Sequence, residues 1–171
     1  MKVKLIYGTD TGNTEVIKGD IVDSLAEFNI DVVDVYDITP EDWNSHEFYI
    51  LGIPTWYDGD LQSDWEDYFP TFQELDFTGK TFAIFGLGDQ IGYAEWFCDG
   101  VGILAEVILK NGGKVVGYTD KDETYDFEKS LALKDENTFY GLCLDEDNQP
   151  HETTERLNKW LEQIKSNINE S

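Results

Sequence analysis

The sequence predicts an α/β fold built on a parallel sheet, in a single domain spanning residues 1–171. Three observations predict it. Strand-like and helix-like segments alternate from one end of the chain to the other. Several strand candidates are continuous apolar runs, the pattern of strands covered on both faces. A chain of 171 residues, 40% of them hydrophobic, suits one domain with a sizeable core.

The elements follow in order. Residues 3–7 read as a first strand. It runs into Gly8-Thr9-Asp10-Thr11-Gly12-Asn13-Thr14, after which Ile17, Ile21, Leu25 and Phe28 recur at helical spacing. Residues 32–35 are a second strand. Thr39-Pro40 resembles an N-cap with proline at the first helical position. Residues 48–53 are a third strand, and Ser63-Asp64-Trp65-Glu66 fits a capping box opening the next helix. Residues 81–86 are a fourth strand. Ile103, Leu104, Val107 and Ile108 give a helix one apolar face, and Gly112-Gly113 ends it. Residues 115–118 begin a fifth strand. The polar stretch 119–137, with Tyr125 and Phe127 inside it, is too long for an ordinary connection and is expected to interrupt that strand. An extended, aromatic-rich stretch follows at 138–144. Leu157, Trp160, Leu161, Ile164 and Ile168 form the stripe of the last helix.

Composition excludes several functions. A net charge of −24 repels DNA, RNA and anionic lipid surfaces. No apolar run is long enough for membrane insertion. The chain opens directly on a strand, without the apolar core and cleavage site of a secretory signal, which predicts a cytoplasmic protein. Cys98 and Cys143 lack metal-ligand spacing and read as reduced packing residues; His46 and His151 are too scattered for a catalytic or metal site.

Three loops carry the functional signal. The loop after the first strand leads into a helix N-terminus, where unpaired N–H groups and the positive dipole end favour an anion. Thr9, Thr11, Thr14 and Asn13 add side-chain donors, and the loop holds no Lys or Arg. It is a neutral phosphate cradle, neither a Walker A loop nor a Gly-x-Gly-x-x-Gly turn. The third and fourth strands run into Pro54-Thr55-Trp56-Tyr57-Asp58-Gly59-Asp60 and Gly86-Leu87-Gly88-Asp89-Gln90-Ile91-Gly92-Tyr93. Open α/β sheets bind ligands beyond the carboxyl ends of their strands, so a planar ring can stack between Trp56 and Tyr93. Trp43, Trp65 and Trp160 are assigned to packing.

Four segments, Gly8 to Glu15, Pro54 to Trp65, Gly86 to Phe97 and Leu144 to Gln149, resemble the long-chain branch of the flavodoxin family, in the family's order. The resemblance implies a flavodoxin-like, doubly wound five-stranded parallel sheet in the order 2-1-3-4-5, with helices on both faces and an insertion in the last strand. It implies one non-covalently bound flavin mononucleotide (FMN). The phosphate would lie on Thr9, Asp10, Thr11, Gly12, Asn13 and Thr14. The ring system would meet Pro54, Thr55, Trp56, Tyr57, Asp58 and Gly59 on one side, and Leu87, Gly88, Asp89, Tyr93, Trp96, Phe97 and Cys98 on the other. Asp147 would approach the ribityl chain. The insertion would serve partner docking. The chain departs from many members at Trp96 and at Tyr57-Asp58.

The implied function is a low-potential single-electron carrier, not an enzyme, acting as a monomer with basic partners such as ferredoxin-NADP reductase or photosystem I. In the family the residue-57 carbonyl swings toward flavin N5, and Gly59 gives the turn freedom to move. Asp58, Asp60, Asp89, Glu95 and Asp147 lie in or near the expected site. One carboxylate about 10 Å away at an effective dielectric of about 40 raises an anion by roughly 0.8 kcal/mol. A few together lower the second reduction potential by on the order of 100 mV before salt screening. Two alternatives fit less well. A quinone or azo reductase needs a nicotinamide site that one short domain does not show. A phospho-receiver needs acidic clusters where this chain has Gly-Thr-Asp and Gly-Ile-Pro-Thr.

Overall fold

The computed structural model describes residues 2–10 and 12–170. Six strands come first: β1 (Val3–Tyr7), β2 (Asp31–Asp34), β3 (Phe48–Trp56), the short β4 (Asp60–Leu61), β5 (Thr81–Leu87) and β6 (Lys114–Val116). Strands β7 (Thr119–Asp120), β8 (Leu133–Asp135) and β9 (Thr138–Phe139) form a separate antiparallel sheet, and β10 (Leu142–Leu144) returns to the main one. The helices are α1 (Asn13–Ser24), α2 (Ser63–Phe72), α3 (Asp99–Lys110) and α4 (Pro150–Glu170). Among the described residues no helix is long and apolar enough to cross a membrane.

Strands β2, β1, β3 and β5 lie side by side and parallel. β3 occupies one edge of β5 from Thr81 to Leu87. The other edge is therefore shared end to end by β6, on residues 81–83, and β10, on residues 85–87. Together these two fill the fifth position of the expected 2-1-3-4-5 order, and the insertion between them interrupts that strand as the sequence predicts. Among the described residues of the main sheet, only β4 runs antiparallel, against β3. The extended stretch 138–144 divides between the two sheets. The break falls at Gly141, where a Cβ would stand 2.1 Å from the Ile84 carbonyl oxygen.

Alternation along the strands sends side chains to two cores. Val3, Leu5, Phe48, Ile50, Ala83 and Phe85 face the buried stripes of α1 and α4. Ile6, Tyr49, Leu51, Ile53, Phe82 and Ile84 face α2 and α3. Trp43, Trp65 and Trp160 are buried, as expected. The insertion builds an aromatic extension of the second core. Tyr125 and Phe139 lie 4.9 Å apart, and Phe127 stacks on Phe97 at 5.0 Å.

Two helix starts differ from the expected ones. Thr39-Pro40 does open a capping box, closed by Asp42, but it caps a single 3-10 turn, Pro40–Trp43. The N-cap of α2 is Gln62 rather than Ser63. Gln62 Oε1 accepts the Trp65 N–H at 3.1 Å, while the Ser63 hydroxyl donates to Asp10.

Candidate functional site

The carboxyl ends of β1, β3 and β5 open onto one cleft. At Gly8 the chain turns so close to Gln62 that a Cβ would meet its Oε1 at 2.2 Å. Gly12, at φ 90°, N-caps α1 with no side-chain cap. The first N–H groups of α1 therefore point outward at the positive end of the helix dipole. Thr9 Oγ1 accepts the Gly12 N–H at 2.9 Å and shapes the turn. Thr14 is buried, and its hydroxyl has no hydrogen-bond partner among the described residues. Asp10 turns aside to accept from Gln62 Nε2 and Ser63 Oγ, each at 3.0 Å. The nearby Lys18 sits 5.1 Å over the Tyr7 ring. Thr11, a predicted donor, lies outside the described residues.

Asn13, Thr14, Pro54, Thr55, Trp56, Leu87, Gly88, Asp89, Tyr93 and Asp147 line one cleft, with Glu146 as an unexpected eleventh. Trp56 Nε1 is a second buried donor without a partner. Trp56 and Tyr93 thus border a common slot. Tyr57, exposed and at φ 46°, sets its ring edge-on to Tyr93 at 5.8 Å and 86°. Asp58 is exposed beside it, and Gly59 follows at φ 84°.

The remaining predicted residues stand behind the slot. Trp96 packs its Cδ1 where a Gly59 Cβ would lie, 3.1 Å away. The Phe97 ring joins the insertion's aromatic cluster, and its N–H is taken by the Lys129 carbonyl. The Cys98 thiol is buried against Cys143, and burial pushes it well above its ordinary pKa. The side chains of Phe97 and Cys98 therefore face the core rather than the cleft.

An acidic network shapes the far wall. Asp145, fully buried, accepts from the N–H and side-chain amide of Gln90 at 3.1 and 3.0 Å, and from Asp147 N and Asn148 N. Asn148 Nδ2 bridges to Asp89 at 2.7 Å. Burial pushes the Asp89 carboxyl up, but donors from Gly92, Asn148 and Ile91 outweigh it and hold the group below its ordinary value. Asp147 is raised by burial and by the charges of Asp89 and Asp145. Gln62 and Asp145, the residues that position these walls, were not singled out from the sequence. Their signal is a polar residue beside a loop glycine and a strand-ending aspartate, both weak on their own.

Two orphaned donors, open helix N–H groups and an aromatic slot fit a ligand carrying an anionic group on a planar ring. The flavodoxin family model matches residues 5–160. The chain is 49% identical over 162 residues to a flavodoxin of Haemophilus influenzae, covering 95% of this chain and 92% of that protein. It is 48% identical over 168 residues to a flavodoxin of a Nostoc species, covering 96% of each. A crystal structure of Fusobacterium nucleatum flavodoxin bound to flavin mononucleotide superimposes with a TM-score of 0.90 at 34% identity, over 97% of this chain and 98% of that one.

Proposed function

Because the chain belongs to the flavodoxin family, we propose that it is a low-potential carrier of single electrons on one non-covalently bound FMN, without substrate turnover of its own. The observation that carries this reading is the pair of buried, partnerless donors, Thr14 Oγ1 and Trp56 Nε1, on one cleft. Burying a polar group without a partner costs about 1–3 kcal/mol, so a ligand that satisfies both is strongly favoured.

Bound FMN supplies the one-electron chemistry. The α1 N-terminus with Gly12, Asn13 and Thr14 would hold the phosphate. Trp56 and Tyr93 would flank the ring system and keep water from its faces. Pro54, Thr55, Leu87 and Gly88 close the floor, and Asp147 approaches the ribityl chain. The Tyr57 carbonyl, in a turn that ends on Gly59, would offer a hydrogen-bond acceptor to the ring edge. Asp58, Asp60, Asp89, Glu95 and Asp147 disfavour any negative charge added to the ring, which makes the second electron hard to accept. The same acidity suits brief contacts with basic redox proteins, of which ferredoxin-NADP reductase and photosystem I are the type. The protein acts as a cytoplasmic monomer.

Titration of the apoprotein with FMN tests the reading. Flavin fluorescence is expected to be quenched at one equivalent. Absence of quenching overturns it, and steady NAD(P)H oxidation by the purified protein alone favours an enzyme instead.

A further inference from the structure

The turn 56–59 is gripped at both ends by consecutive residues of one helix. At its start, Thr55 Oγ1 accepts the Gly100 N–H at 2.8 Å. At its end, Asp99 Oδ2 lies 2.9 Å from where a Gly59 Cβ would stand. Asp99 and Gly100 open α3, and both are buried. The other oxygen of the same carboxylate, Oδ1, accepts the Leu131 N–H of the insertion at 2.8 Å. One buried side chain thus faces Gly59 with one oxygen, filling the space a Cβ would need, and binds the insertion with the other.

The contact with the insertion is extensive. Glu128 N and Lys129 N donate to the Ala94 carbonyl at 2.8 and 3.0 Å. The Ser130 hydroxyl donates to the Phe97 carbonyl. The Leu131 carbonyl presses on Gly102 so closely that a Cβ there would stand 1.9 Å from it. Residues 128–131 therefore run along the segment 94–102 that backs the slot.

We propose that Asp99 is a positioning residue for the 56–59 turn, confining its redox-linked rearrangement to Tyr57 and Asp58 and tying that turn to the insertion. The carboxylate is held at a helix N-terminus, where the dipole favours it. Burial pushes its pKa up while the Leu131 N–H pulls the other way. A carboxylate kept buried on the side-chain side of a glycine is an expensive way to fill space. A positioning role explains why the site holds one. The insertion then acts on the cofactor site from within, apart from any partner docking. The redox half of this inference rests on the FMN reading; the link between turn and insertion does not.

The test compares wild type, Asp99→Ala and Asp99→Asn in two experiments. In the apoprotein, amide hydrogen exchange should rise about tenfold at residues 58–60 and at Leu131 together in Asp99→Ala, with β1, β3 and β5 unchanged. Asp99→Asn keeps an acceptor for Leu131 and should restore protection there but not in the turn. In the FMN-loaded proteins, both variants should weaken the first one-electron reduction by about tenfold, which for one electron is about 59 mV. Loss of a charge alone would move chiefly the second potential, whose product is anionic. Unchanged exchange in the turn, or a shift confined to the second potential, overturns the inference. Should Asp99→Ala not fold, Asp99→Asn carries both readouts. Should wild type not bind FMN, the functional reading fails while the exchange experiment still decides the link.

Discussion

Gln62 and Asp10, separated by 52 positions in sequence, are joined by a hydrogen bond from Gln62 Nε2 to Asp10 Oδ1 at 3.0 Å. The same fully buried glutamine caps α2 through Oε1 and packs on Gly8. The phosphate loop and the start of α2 therefore share one anchor. Gln62→Leu should destabilise the apoprotein by about 1–3 kcal/mol through the lost cap and the unsatisfied Trp65 N–H. It should also weaken FMN binding. Urea unfolding and fluorescence titration check the two effects, and a variant as stable as wild type would deny the anchor.

Thr14→Val separates the apo and loaded states. In the apoprotein the hydroxyl is buried and unbonded, so its removal should leave stability unchanged or raise it. Against a phosphate the same hydroxyl is worth about 1.5–3 kcal/mol, or roughly a 10- to 100-fold weaker FMN affinity in the variant. Riboflavin, lacking the phosphate, should bind both proteins alike. Equal FMN dissociation constants would place the phosphate elsewhere.

Tyr57 is held at φ 46°, a region that costs a non-glycine residue about 1–2 kcal/mol. Its edge-on contact with Tyr93 returns about 0.5–1.5 kcal/mol. Tyr57→Gly removes both, so thermal stability should change by no more than about 1.5 kcal/mol. The freed turn should nonetheless alter the spacing of the two one-electron potentials. Spectroelectrochemical titration reads that spacing, and no change in it would mean that the turn is not coupled to the cofactor.

Two aspartates on the cleft should respond oppositely to pH. Asp89 is held below its ordinary pKa, so its contribution to stability is present above that value and lost as pH falls through the lowered one. Asp147 is raised, so its contribution is present below the ordinary value and lost as pH rises through the raised one. In apoprotein melts at about pH 7, Asp89→Ala should lower the Tm and Asp147→Asn should raise it. The Asp147 difference should fade as pH falls through the raised value to the ordinary carboxylate value of about 3.9, and the Asp89 difference should shrink only below that value. A persistent Asp147→Asn gain in acid would point to packing instead of charge.

A net charge of −24 should make electron exchange with a basic reductase sensitive to salt. Raising ionic strength from about 0.01 to 0.1 M shortens the Debye length from about 30 to 10 Å, and stopped-flow association rates should fall accordingly. Rates independent of salt would exclude steering.

Much of this architecture was legible because burial writes itself into sequence. β1, β3 and β5 are apolar runs since helices cover both faces, and the α4 stripe is complete because one side of that helix is wholly buried. Strands β7 and β8 were not legible: two or three residues each carry no period. The slot aromatics Trp56 and Tyr93 were found because strand ends in a parallel sheet converge. Gln62 escaped because capping patterns favour Ser, Thr, Asp and Asn. Asp99 escaped because nothing in Cys98-Asp99-Gly100 tells that one carboxylate reaches two distant loops.

The divided fifth strand sets a timetable for the nascent chain. β6 can dock on β5 as soon as it leaves the ribosome, but β10, which leads into the acidic wall at Asp145 and Asp147, follows a further 25 residues of insertion. α4, which covers β10, comes later still. The cleft is thus finished only after the insertion has been made, so a chain stopped before β10 would lack its acidic wall.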